Sequence, residues 1–144
     1  MKKIAVLLAS AMIAAPALSA PVFMTVKNEN TVSTMKVSKV SACGLFSPTP
    51  QDLKPKEVSD TFSTDCGGSA SVISLVYTMG MKSCTFNVST IYTPPNYLFN
   101  PPLPGYWTPS VKATSSGGAT CRVVSQDPSL YFLNGGFGAV FSMK

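Results

Sequence analysis

The stretch from Ser71 to Tyr92 is built for a β-hairpin. Ser71 to Thr78 carries Val72, Ile73, Leu75, Val76 and Tyr77, a short apolar run suited to a buried strand. Met79-Gly80-Met81 supplies a turn. Cys84, Phe86, Val88, Thr90 and Tyr92 then alternate with Thr85, Asn87, Ser89 and Ile91. Period two puts the first set mostly on the core face. Beyond the N-terminal segment no apolar pattern of helical period appears, and Pro, Gly, Ser, Thr and β-branched residues dominate.

The same chemistry predicts further strands. Val22 to Val26 is expected as the first, turned by Asn28-Glu29-Asn30, and Val32 to Val40 as the second. Ser47-Pro48-Thr49-Pro50 and Leu53-Lys54-Pro55 are loop chemistry, because proline fixes φ and lacks a donor. A short strand is expected around Phe62, from Asp60 to Thr64, before Cys66-Gly67-Gly68. Val111 to Thr114 and Thr120 to Ser125 flank a turn at Ser115-Ser116-Gly117-Gly118. Leu130-Tyr131-Phe132-Leu133 and Phe137 to Met143 flank Asn134-Gly135, and Asn-Gly favours a two-residue hairpin turn. Strands at such spacing predict an all-β chain, a single antiparallel β-sandwich of about eight strands.

The N-terminal segment is of another kind. Lys2 and Lys3 precede an apolar run from Ile4 to Leu18, and Ala17-Leu18-Ser19-Ala20 offers small residues at cleavage spacing. This is the pattern of a secretory signal peptide of bacterial style over residues 1–19. The run is about fifteen residues, short of the about twenty that a membrane-spanning helix needs. Cleavage is expected after Ser19, leaving residues 20–144 as one sandwich domain, secreted or periplasmic.

Export bears on the cysteines. Cys43, Cys66, Cys84 and Cys121 form an even set, which in an exported chain predicts two disulfides. Three pairings are possible and sequence alone does not choose among them. The expected one is Cys43–Cys66, stapling a loop-rich insertion, with Cys84–Cys121 tying two strand-like segments. No CxxC spacing and no histidine support a metal site, and no cofactor is implied.

Charge and residue types restrict function. Charged residues make up 12% of the chain, and nine Lys/Arg remain against six Asp/Glu once Lys2 and Lys3 are removed. The bases are scattered, so nucleic-acid binding has no support. Without histidine, Ser-His-Asp and Cys-His catalysis cannot be assembled within this chain. Asp52, Glu57, Asp60 and Asp65 cluster, but with lysines and prolines among them and no calcium-loop motif they fit a solvated loop face better than a carboxylate pair or a calcium site. The chain is therefore not expected to be an enzyme. Asn87-Val88-Ser89 fits a glycosylation sequon but lies mid-strand and is expected to be unmodified.

One stretch is compositionally apart. From Tyr92 to Pro109 the chain holds six of its 12 prolines, its 1 tryptophan and three of its 5 tyrosines, with no charged residue. Pro94-Pro95 and Pro101-Pro102 do not fit inside a central strand. Tyr92, Tyr97, Phe99, Tyr106 and Trp107 are thus expected on or beside a stiff loop, with apolar bodies and polar tips suited to membrane interfaces or sugars. The competing reading folds the loop back so that its aromatics plug one end of the sandwich.

The arrangement resembles the aegerolysin and actinoporin-like group of secreted β-sandwich proteins. The resemblance rests on Val22 to Asn30, Met35 to Val40, Cys43-Gly44-Leu45-Phe46, Leu53-Lys54-Pro55 before Thr61-Phe62, and the central hairpin with its aromatic loop. It implies lipid recognition. No amphipathic N-terminal helix follows the signal peptide, so pore formation is not implied. The expected function is a small exported binding module whose Pro/aromatic loop recognises a membrane lipid or glycan surface, with a protein partner as a further option. The alternative is a structural subunit of a surface assembly, a pilin-like sandwich whose Phe137 to Met143 strand complements a neighbour's sheet.

Overall fold

Val22, Met24, Val26 and Asn28 are buried while the residues between them are not, which is how a strand at the centre of a sandwich looks from its sequence. The computed structural model of the chain describes residues 20–127 and 136–144. The expected signal peptide, the strand expected at Leu130 to Leu133 and the turn expected at Asn134-Gly135 lie outside the described residues. In chain order the strands are β1 (Val22–Asn28), β2 (Lys36–Ala42), β3 (Leu45–Ser47), β4 (Phe62–Asp65), β5 (Ala70–Met79), β6 (Lys82–Thr93), β7 (Tyr106–Ser116), β8 (Cys121–Asp127) and β9 (Phe137–Met143).

They form two sheets. One has the order β3-β4-β1-β9-β8 and the other β2-β5-β6-β7. Inner-face residues of β1, β5, β6 and β9 meet between them, and Phe86 lies against Phe141 with ring centroids 4.9 Å apart. The fold is thus an all-β sandwich with nine strands among the described residues. It is not wholly antiparallel. The first and last strands run parallel, Val22 opposite Phe137 through Asn28 opposite Met143. β3 has no counterpart among the expected strands, being too short to show a period, and exists through its pairing with β4. The expected second strand begins at Lys36 instead of Val32, because the chain from Glu29 to Thr34 is tied into a loop. Asn28 Nδ2 donates to the carbonyls of Ser33, Leu53 and Lys54 at 2.9–3.0 Å, and Asn30 Oδ1 accepts from the amides of Val32 and Ser33.

Edges are handled by irregularity. β2 and β8 carry register shifts at Val37/Lys39 and Val123/Ser125, β2 carries Lys36 and Lys39, and β7 carries Pro109. Each of these weakens edge-to-edge pairing with another chain. Both disulfides are the expected ones, Cys43–Cys66 and Cys84–Cys121, with Cα atoms 5.6 and 5.7 Å apart. Each crosses between the sheets. Cys43 follows β2 and Cys66 follows β4, whereas Cys84 lies in β6 and Cys121 in β8. They sit at opposite ends. The Cys43–Cys66 end also holds the β6–β7 connection and is called the loop end; the other holds the Met79–Lys82 turn and is called the turn end.

Candidate functional site

β6 and β7 stay paired further than the sequence suggests, to Thr93 opposite Tyr106. Tyr92, Tyr106 and Trp107 are therefore strand residues, and the connecting loop is 94–105. The reason is local. β7 is an edge strand, so Pro109 costs it no ladder hydrogen bond on the solvent side.

The loop is a folded projection. Asn96 and Leu103 exchange both backbone hydrogen bonds, at 2.9 and 3.0 Å, and Asn96 Oδ1 accepts from the Leu98 amide at 3.0 Å. The Asn100–Pro101 peptide is cis. At its base Tyr92 and Trp107, opposite each other in the ladder, pack ring to ring with centroids 5.2 Å apart. Tyr92 shares the parity of Cys84, Phe86, Val88 and Thr90, so the pair continues the inner face just past the end of the core. Gly105 fits closely here. A Cβ at this position would run into the Tyr92 phenol and the Pro95 ring. Below the pair, the buried Thr90 hydroxyl has no hydrogen-bond partner among the described residues.

The five aromatic residues singled out from sequence thus divide. Tyr92 and Trp107 are half-buried and form the base. Tyr97, Phe99 and Tyr106 are exposed, Tyr97 at 76%. Three aliphatic residues join them. Leu98 is 94% exposed, and Leu103 and Ile91 are each about half exposed. Aliphatic side chains carry no chemical mark that sets a binding surface apart from a core, so the sequence signal for these three is the absence of any charge from Ser83 to Val111. The patch is apolar, projecting and charge-free.

The acidic cluster is differently employed. Asp52 Oδ1 accepts from the Val37 amide at 2.8 Å, Glu57 Oε2 from the Lys54 amide at 2.6 Å, and Asp65 Oδ1 from the Gly67 amide at 2.9 Å. These carboxylates order their own loops. Asp52, Glu57 and Asp60 line a shallow concavity with Leu53 and Phe62. A second shallow concavity lies on the outer face of the five-stranded sheet, over Gly138 and between Phe23, Thr25, Thr61 and Asp127. Among the described residues no group of three or more His, Cys, Asp or Glu is placed to hold a metal ion, and no helix is long and apolar enough to cross a membrane. Comparison of the chain with protein-family models and with curated proteins finds no match to either.

Proposed function

We propose that the protein is a small binding module that recognises a membrane lipid surface by inserting the tip of its 94–105 loop. The observation that carries the reading is the nearly full exposure of Leu98 beside Tyr97, Phe99 and Leu103 on a projection with no charge. Isolated exposed apolar residues are ordinary, but several on one projection mark an interaction surface. Lipid is favoured over glycan by the leucines. Their alkyl groups gain about 1.5–3 kcal/mol each on leaving water for hydrocarbon, yet they neither stack on sugar rings nor hydrogen-bond to hydroxyls. Tyr97 and Tyr106 have the apolar body and polar tip that suit the interface just above. The Asn96–Leu103 bridge and the prolines hold the tip in shape, which lowers the ordering cost of binding. The pilin-like alternative is less favoured, since β9 is flanked by β1 and β8.

Vesicle flotation tests the proposal. The native protein should float with lipid vesicles, and the Leu98→Ser, Phe99→Ser double variant should stay in the aqueous fraction with an unchanged melting temperature. Native protein that ignores every vesicle but binds an immobilised glycan through Tyr97 and Tyr106 overturns the lipid reading.

A further inference from the structure

The distribution of charge around the loop carries the reading one step further. Nine basic side chains belong to the described residues, and registers place all of them away from the tip. The nearest along the strand is Lys112, opposite Asn87 and six residues past Tyr106, which is roughly 20 Å at the rise of a strand. Lys82, Lys36 and Lys39 lie nearer the turn end, the last two opposite Thr78 and Val76. Lys27 and Arg122 both stand opposite Ser142, near the C-terminal end of β9, and Lys144 exchanges backbone bonds with Thr120. Lys54 and Lys56 belong to the loop tied to Asn28 and Asn30, again at the turn end. At the loop end the charged strand residues are the carboxylates Asp65 and Asp127.

Resting on the insertion reading, we infer that the tip docks on bilayers with electrically neutral, zwitterionic headgroups of the phosphatidylcholine type and gains nothing from anionic lipid. A lysine or arginine contributes about 1 kcal/mol of attraction to an anionic surface only when held close to it, and the attraction decays within a Debye length of about 8 Å at physiological salt. With the tip inserted, Lys112 stands more than twice that distance away. What remains is transfer of Leu98, Leu103, Phe99 and the tyrosines out of water, which takes no account of headgroup charge. The net positive charge of the chain thus belongs to the opposite end and plays no part in docking.

Equilibrium binding to two vesicle preparations tests this, one of phosphatidylcholine alone and one of equimolar phosphatidylcholine and phosphatidylglycerol. The expected result is binding to phosphatidylcholine at least as tight as to the mixture. It should change less than about two-fold between about 0.05 and 0.5 M salt, over which the Debye length shrinks about three-fold. Lys112→Glu should bind as the native protein does. Binding to the mixture alone, or a loss of ten-fold or more with salt or in Lys112→Glu, overturns the neutral-headgroup inference while leaving insertion standing. No binding to either preparation overturns the insertion reading and this inference with it.

Discussion

Tyr77 shows how one buried polar atom ties stability to pH. Its ring is fully buried and its hydroxyl donates to the Gln51 carbonyl at 3.3 Å. Burial, and after it the carboxylate of Asp52, pushes the hydroxyl from 10.0 up to about 12. The folded state therefore keeps a proton that the unfolded chain gives up above its ordinary value. Stability from this source is complete below about pH 10 and falls as pH rises toward 12, by about 2–3 kcal/mol in all. Thermal melts across the alkaline range should show that decline, and Tyr77→Phe should flatten it. An unchanged alkaline slope in Tyr77→Phe would place the effect elsewhere. The inward position of Tyr77 was only partly legible. The run around it contains Val72 and Val76 as well as Ile73 and Leu75, so the sequence marked a buried strand without saying which side of it met the core.

Among elements, the β6–β7 hairpin is where reading and structure are closest and where they part. The alternation from Cys84 to Thr90 was legible because burial on one face writes period two into the chain. Tyr92 continues that parity, and its inward side was legible on the same ground. Trp107 could not, since its inward position follows from its register opposite Tyr92, which no local residue announces. The parallel pairing of β1 with β9 was likewise hidden, for a strand's sequence records that it is flanked but not by which segment. Gly105 links loop to base. Gly105→Ala puts a methyl group where the Tyr92 phenol and the Pro95 ring lie, and the ring pair must separate to admit it. Trp107 is the chain's 1 tryptophan, so its fluorescence reports the change directly. Emission should shift to the red and quench more readily, with a melting temperature only a few degrees lower. An unaltered spectrum would mean the base does not depend on this contact.

For the molecule as a whole, two inter-sheet disulfides at opposite ends hold the layers in register, consistent with an oxidising environment. Loop-closure entropy gives each about 3–4 kcal/mol. They differ in access. Cys43 is exposed and Cys66 partly so, whereas Cys84 is wholly buried. Graded reduction followed by alkylation and peptide mapping should label Cys43 and Cys66 first, on protein that remains folded. Cys84 and Cys121 should be labelled only as the fold opens, and equal labelling rates at both pairs would contradict this ordering. The embrace of β1 by β9 has a consequence for how the chain comes to exist at all. A strand made early must wait, without its neighbour, until a segment more than a hundred residues further along has been synthesised. Contacts of such long reach are slow to form. The five-stranded sheet thus cannot close before β9 has emerged, and until then β1 and β8 lack the strand that joins them.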